Sequence, residues 1–117
     1  MAKENIRIDY DKEEDLFSLI REESKVKFSF NVSLPQGDII VDYDFNGQIV
    51  GIEFFNASSY FPQLKNVEVK DIKASFSVRY GPNWAQVSYI LYLPDVAQPI
   101  SGFIPTPYNK ELILKEN

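Results

Sequence analysis

Apolar and polar residues alternate along most of the chain, which predicts a protein built mainly of β-strands. The clearest run spans residues 26–34, where every second residue is apolar, as in a strand with one buried face. Residues such as Pro35, Gly37 and Gly81 end these runs with turns. We predict seven or eight strands, which lie within residues 6–11, 16–20, 26–34, 38–44, 48–55, 67–80, 85–93 and 100–104.

Segment 38–55 carries a strong hairpin signal, because two β-prone runs flank the pair Asn46 and Gly47. A two-residue turn at this pair gives the hairpin one wholly apolar face. Its predicted opposed pairs are Ile39–Phe54, Val41–Ile52, Tyr43–Val50 and, on the other face, Ile40–Glu53, Asp42–Gly51 and Asp44–Ile49. A three-residue loop would shift the register by one residue and mix the two faces, so the pattern predicts the two-residue turn.

Two further hairpins follow from the same pairing rule. The first joins the strands at 6–11 and 16–20, and the second of these is apolar on both faces. The other uses a four-residue loop over residues 81–84 to align two apolar rows. The predicted pairs are Tyr10–Phe17, Ile8–Leu19, Tyr80–Ala85, Val78–Val87 and Phe76–Tyr89.

Residues 56–66 interrupt the β pattern. Ser58 or Ser59 is a candidate N-cap of one short helix with Pro62 in its first turn, and a loop packed by its aromatic residues is the alternative. Four prolines in the tail restrict residues 100–104 to a short edge strand. Residues 111–115 have the composition of a last strand.

These elements predict a mainly β, antiparallel meander that forms a two-layer sheet or a barrel-like sandwich with at most one short helix. A chain of 117 residues is the size of one domain. We expect residues 1–58 to form a β-meander and residues 59–117 to form a β-rich C-terminal extension packed on it.

Two short motifs in the N-terminal half resemble those of a small β-rich family, the domain of unknown function 2283. The motifs are Tyr10-Asp11 followed by Asp15, and Gly47 followed by Val50-Gly51-Ile52-Glu53. The resemblance covers about residues 5–58. It implies a small intracellular domain without an established activity, and an antitoxin-like or partner role beside a compact toxin-like protein. The segment after Ser58 departs from the family pattern.

Composition narrows the classes of function. The chain has no histidine and no cysteine, which excludes thiol catalysis, a Ser-His-Asp triad and a typical structural zinc site. We therefore predict no cofactor and favour a non-catalytic role over an enzyme. The absence of cysteine and of any apolar span predicts a cytoplasmic protein that does not bind membranes.

Charge is distributed unevenly along the chain. The formal net charge is −5, with net −6 in residues 1–58 and net +1 in residues 59–117. An acidic protein without a basic cluster is a poor nucleic-acid ligand, so we predict no nucleic-acid partner. An acidic face attracts basic proteins, and a small basic protein is therefore a candidate partner.

Carboxylates are the remaining candidates for binding chemistry. The weak candidates for an oxygen-only Mg²⁺ or Ca²⁺ site are Asp9, Asp11, Asp42, Asp44 and Glu53. The alternative is that they form a solvated outer face that keeps the protein soluble. Gly51, in the middle of a strand, indicates a bulge or close packing, with close approach by a ligand as the alternative.

The C-terminal half holds the candidates for a contact surface. It contains nine of the seventeen aromatic residues. The interface candidates are Trp84, Tyr92, Arg79 and Tyr89. Covering a second apolar layer under the tail is the alternative for Trp84 and Tyr92, and an ordinary polar-face position is the alternative for Arg79. We predict a symmetric homodimer through the strands between Lys73 and Leu93, with the acidic face outward.

Overall fold

The computed structural model describes residues 5–109 and shows two antiparallel β-sheets packed face to face. The strands are β1 (Ile6–Asp11), β2 (Leu16–Arg21), β3 (Val26–Val32), β4 (Ile39–Asp44), β5 (Ile49–Phe55), β6 (Lys73–Tyr80), β7 (Trp84–Tyr92) and β8 (Ile100–Pro107). The first sheet has the order β1-β2-β5-β4-β3, and the second has the order β6-β7-β8. The predicted two-layer antiparallel fold is confirmed, and neither sheet closes into a barrel.

Most of the predicted strand pairing is confirmed. Tyr10 lies opposite Phe17 and Ile8 opposite Leu19 in the first hairpin. In the second sheet the four-residue loop places Tyr80 opposite Ala85, and Val78 and Phe76 also pair as predicted. Strand β2 is an interior strand because β5 pairs with its other side. An interior position explains why β2 is apolar on both faces.

The turn of the β4–β5 hairpin differs from the prediction. The backbone N–H of Asp44 donates to the carbonyl of Gln48 at 2.9 Å, so three residues, 45–47, form the loop. Only Gly47 in this loop has a positive φ, at 75°, whereas a two-residue type I′ turn needs two such residues. The prediction of a two-residue turn is therefore wrong.

A β-bulge in β5 compensates for the longer loop. Tyr43 lies opposite Ile49, and Asp42 lies opposite Gly51, so Val50 is the extra residue. The predicted pairs Tyr43–Val50 and Asp44–Ile49 are therefore wrong. Beyond the bulge the predicted register returns, and Val41 lies opposite Ile52 with both side chains fully buried.

One hydrophobic core lies between the sheets. Its members include Phe17, Leu19 and Phe54 from the first sheet and Val87 and Leu91 from the second. Edge-to-face ring contacts join the layers, with the Phe54 centroid 5.4 Å from that of Tyr89. Such a core explains why the C-terminal extension packs on the N-terminal meander: the inner face of the first sheet needs an apolar cover.

Two tyrosines of the second layer bind the β4–β5 turn region. The Tyr108 hydroxyl donates to the carbonyl of Gly47 at 2.6 Å, and the Tyr80 hydroxyl accepts from the N–H of Ile49 at 2.9 Å. The Tyr108 ring also stacks on Tyr43 at 6.1 Å between centroids. The second sheet therefore fixes the end of the hairpin that carries the bulge.

Residues 57–71 form three short 3₁₀ turns, Ala57–Ser59, Pro62–Asn66 and Val69–Asp71. Neither predicted serine caps a helix through its side chain, and Pro62 occupies the first turn of the second element. Phe61 and Leu64 are buried, so this segment serves as a packed cover for the core. Consequently β6 begins at Lys73, later than the predicted start at residue 67.

The remaining differences concern exposed strands. Strand β3 is an edge strand with a bulge near Lys27, so its strict alternation does not bury it, and Phe30 is 42% exposed. Strand β8 runs to Pro107 because prolines are compatible with an outer edge that needs no N–H donors. The predicted strand at 111–115 lies outside the described residues.

Gly47 offers a direct test of the turn. Gly47→Val should destabilise the protein by about 1–3 kcal/mol, because a β-branched residue is strained at φ 75°. Asn46→Ala is the control, since Asn46 has no positive φ, and it should cost less than about 0.5 kcal/mol. Urea denaturation measures both, and equal losses would contradict the described turn.

Candidate functional site

The outward side of the five-stranded sheet carries a polar row flanked by apolar residues. We call this surface the carboxyl face and define it by Ser18, Ile20, Ile40, Asp42, Gly51 and Glu53. These positions alternate with core residues on β2, β4 and β5, so they lie on the side away from the second sheet. The ladder places Ser18 and Ile40 on either side of Glu53, and Ile20 and Asp42 on either side of Gly51.

Asp42 is buried on this face, with 2% of its surface exposed. Its Oδ1 accepts a hydrogen bond from the Ser29 hydroxyl at 2.5 Å. Its Oδ2 is buried and has no hydrogen-bond partner among the described residues. A buried carboxylate oxygen without a donor is costly, so this atom needs a proton or a cation nearby.

Gly51 makes room for the Asp42 carboxyl group. A Cβ atom at Gly51 would lie 3.0 Å from Asp42 Oδ2 and 3.0 Å from a side-chain carbon of Ile20. The glycine also follows directly on the bulge at Val50. The structural interpretation of Gly51, a bulge with close packing, is the one that the structure supports.

Glu53 lies beside Asp42 on the carboxyl face, and its pKa is raised. Burial, followed by hydrogen bonding and charge repulsion from Asp42, raises the pKa of Glu53 to about 7, from 4.5. A protonated Glu53 donates to Asp42, which supplies the donor that the aspartate otherwise lacks. The two carboxyl groups therefore share the Glu53 proton as the pH falls below about 7.

The other carboxylate candidates have separate local roles. Asp9 forms an exposed ion pair with Arg7 at 3.5 Å, and Asp11 accepts from the N–H of Glu14. Asp44 Oδ1 accepts from two N–H groups of the β4–β5 loop, each at 2.9 Å. The structure thus brings only Asp42 and Glu53 together. Within residues 5–109 no group of three or more acidic residues could hold a metal ion.

Asp15 is the centre of a second polar cluster. Its side chain accepts from the Tyr10 hydroxyl at 2.5 Å and from the Ser58 hydroxyl at 2.6 Å. Its backbone carbonyl accepts from Ala57 N–H at 2.9 Å. Burial raises the pKa of Asp15, but the hydrogen bonds from Ser58 and Tyr10 outweigh it and hold the pKa below the usual value. Asp15 thus links the first turn to the end of β5.

The second sheet presents a different outer surface. We call it the aromatic face and define it by Trp84, Ser88, Ile90, Tyr92, Ser101 and Phe103. Trp84, Tyr92 and Phe103 are 42%, 50% and 64% exposed. A shallow cavity of about 590 Å³ lies on this sheet, between the serine side chains and Phe103.

Of the four predicted interface residues, Trp84 and Tyr92 lie on the aromatic face, whereas Tyr89 points into the core. Trp84 packs against Gly81, where any Cβ atom would collide with the indole ring, and Tyr92 is exposed at the end of β7. Arg79 is exposed on β6. Tyr89 belongs to the inner row and packs on Phe54, so it supports the core.

Several residues of both surfaces were missed at the level of sequence. Phe103 lies in the proline-rich tail, yet its position between Gly102 and Ile104 matches the outward row of an alternating strand. Ser29 falls on the polar row of β3, and its bond to Asp42 depends on the pairing of β3 with β4. Strand alternation indicates that Phe103 faces outward, whereas no feature of the sequence indicates that Ser29 binds Asp42.

Comparison with known proteins gives a family match in the N-terminal half of the chain. Residues 7–58 match the family described as Protein of unknown function (DUF2283). The match covers somewhat less than half of the chain. An uncharacterized protein of Methanocaldococcus jannaschii is 39% identical over 67 residues. The alignment covers 57% of the present chain and 51% of the relative, so the chain spans about half of the relative's length. No solved structure matches the chain significantly.

The boundaries of the matched segment agree with the structure. The segment contains β2 to β5 and all of β1 except Ile6, and it ends at Ser58, which binds Asp15. The first motif of the sequence, Tyr10-Asp11 followed by Asp15, forms the Tyr10–Asp15 hydrogen bond. The second, Gly47 followed by residues 50–53, contains the bulge, Gly51 and the Glu53 carboxyl group. Both motifs therefore have structural roles, and the aromatic face lies outside the family segment. Among the described residues no helix is long and apolar enough to cross a membrane.

The shared proton predicts an unusual dependence of stability on pH. Because the pKa of Glu53 is higher in the folded than in the unfolded chain, the folded state binds more protons between about pH 4.5 and 7. This contribution to stability is complete below that window and is lost as the pH rises through it. With allowance for solvent screening, the loss is about 1–2 kcal/mol.

Glu53→Gln should remove this loss, because a glutamine amide donates to Asp42 at every pH. We expect the variant to exceed the wild type in unfolding free energy by about 1–2 kcal/mol at pH 8, and by much less at pH 4.5. Chemical denaturation across this range measures the difference, with Asp11→Asn as the control. A difference that does not change with pH would contradict the shared proton.

The cluster around Asp15 gives a separate prediction. Asp15 has a φ of 53°, which asparagine also tolerates. Asp15→Asn keeps the shape of the side chain, but its amide group faces hydrogen-bond donors. We expect a loss of about 1–3 kcal/mol of unfolding free energy. Glu14→Gln, a neighbouring exposed position, should change stability by less than about 0.5 kcal/mol. Thermal and urea unfolding measure both, and an unaffected Asp15→Asn would refute the structural role.

Proposed function

We propose that the protein is a non-catalytic interaction module that forms a homodimer through the aromatic face. The observation that carries this proposal is the exposure of Trp84, Tyr92 and Phe103 on one outer sheet surface. Exposed tryptophan and tyrosine side chains are typical anchors of protein interfaces. The segment that matches DUF2283 forms the scaffold, and the three-stranded sheet supplies the contact.

The charge distribution supports this choice of surface. The outward rows of β6, β7 and β8 contain no acidic residue, and their charged residues are Lys73 and Arg79 on β6. Serines fill much of the remaining surface and adapt to hydrogen bonding across a contact. A partly aromatic surface without carboxylates can be buried against a second copy without burying unpaired acidic groups, and its two basic residues lie on the edge strand β6. Closed two-fold association is the commonest arrangement of such subunits.

The carboxyl face is left for a different partner. Its acidic character suits a basic protein, and an antitoxin-like role beside a small basic protein fits this arrangement. A carboxylate site for a divalent cation or a small ligand is the second candidate function, and the close approach of Asp42 and Glu53 favours it. Two carboxyl groups supply few of the six or more oxygens that Ca²⁺ takes, so we place the protein partner first.

Light scattering on the purified chain tests the homodimer. We expect a mass of twice 13.5 kDa at tens of micromolar protein. Combining Trp84→Ala with Phe103→Ser should give the monomer mass, because the variant removes two anchors of the contact. Thermal unfolding checks that the variant remains folded.

Phe45→Ser is the matched control, since Phe45 is 62% exposed but lies on the β4–β5 loop of the other sheet. This variant should remain dimeric. A monomeric wild type would refute the proposal, and so would a Phe45→Ser variant that dissociates as readily as the double variant.

A further inference from the structure

The Asp42–Glu53 pair contains a buried carboxylate oxygen that accepts no hydrogen bond from the described residues. Asp42 is 2% exposed, its Oδ2 has no hydrogen-bond donor among the described residues, and a protonated Glu53 beside it can supply one. Glu53 is the more accessible member, so it separates the buried aspartate from solvent. When Glu53 loses its proton, two negative groups lie together on the sheet.

We propose that this pair is the receptor for one basic side chain, a lysine or an arginine, which a protein partner inserts into the carboxyl face in place of the shared proton. This inference rests on the proposed interaction role and assigns it a second surface. Binding releases the Glu53 proton to solvent, so the charge of the pair falls by one unit as one positive charge arrives. No other group is transferred.

The surroundings of the pair favour a protein side chain. Ile20 and Ile40 lie beside the two carboxyl groups on the sheet and are partly buried, which lowers the local dielectric and strengthens an ion pair. Phe55, 41% exposed two residues after Glu53, adds an apolar contact beside the charged centre. A surface with an apolar rim and a buried carboxylate matches the stem and head of a long basic side chain.

Most of the charged groups on the strands around the pair are acidic or form ion pairs of their own. On β1, Arg7 and Asp9 pair with each other, and Asp11 adds a further negative charge. On β4 the neighbours are Asp44 and, next to the strand, Asp38. Strand β2 places no charged residue on this face between Leu16 and Ile20. Lys27 lies in the bulge of β3 and has an interaction of its own.

A guanidinium group fits this charge better than a divalent cation. It brings one positive charge, which matches the one proton released, and its several N–H donors serve both carboxyl groups. A divalent cation needs more oxygen ligands than the pair provides, and the described residues supply no third carboxylate.

Calorimetry with a defined peptide tests the exchange. Acetyl-hexaarginine amide is titrated into the full chain at pH 6.5 in two buffers of different ionisation enthalpy. We expect binding that releases up to one proton per peptide. In parallel, the carboxyl ¹³C signal of Glu53 should titrate at a lower pH, by at least one unit, when the peptide is saturating.

Two variants separate this exchange from general attraction to an acidic surface. Glu53→Gln should release no proton and should bind the peptide about tenfold more weakly, because it keeps a neutral donor on Asp42. Asp11→Asn removes a carboxylate from the same side of the sheet and should keep the proton release. Unfolding curves confirm that both variants are folded.

Three outcomes would overturn the inference: no binding up to millimolar peptide, binding without proton release, or equal loss in Glu53→Gln and Asp11→Asn. The aromatic face is tested by mass and this site by proton release, so the two proposals fail separately. A monomer that still releases the proton would refute the homodimer alone, and a dimer that releases none would refute the basic-side-chain receptor alone.

Discussion

The fold depends on the register of the β4–β5 hairpin. One face of this hairpin must cover the core, and a slip of one residue would turn Val41 and Ile52 toward opposite faces. The loop has three residues, which alone would cause that slip. The bulge at Val50 adds one residue to β5 and restores the alignment. Loop length and bulge are therefore a single solution to the constraint that the apolar face stay intact.

The bulge also determines the chemistry of the outer face. By restoring the register it places Asp42 opposite Gly51, and the missing side chain of Gly51 gives the aspartate its space. Glu53, two residues further along β5, then lies on the same face. Burying two carboxyl groups this close costs stability unless a proton or a cation joins them. A feature that serves the core thus creates the one electrostatically strained position on the carboxyl face.

Strand positions and most of the pairing were predictable because strand period, turn residues and apolar rows agree with one another. The two-residue turn was not, because the pairing rule assumes a regular ladder and a bulge breaks it. The exposure of Phe30 was also beyond the pattern: alternation shows which side of a strand is apolar, but not whether the strand lies at an edge. Five dispersed carboxylates were candidates for one site, and only strand order shows that Asp42 and Glu53 meet.

The two layers have different physical tasks. The five-stranded sheet lies in the segment that matches DUF2283, and its inner face requires an apolar cover that the segment itself does not contain. The three-stranded sheet provides that cover, and Tyr80 and Tyr108 bind the turn region next to the bulge. These two tyrosines hold the turn end of the β4–β5 hairpin, where its register begins. Packing in the second layer therefore affects the position of the Asp42–Glu53 pair, because the pair lies on β4 and β5. A change confined to the second layer can therefore alter the constraints on the carboxyl pair without altering either motif.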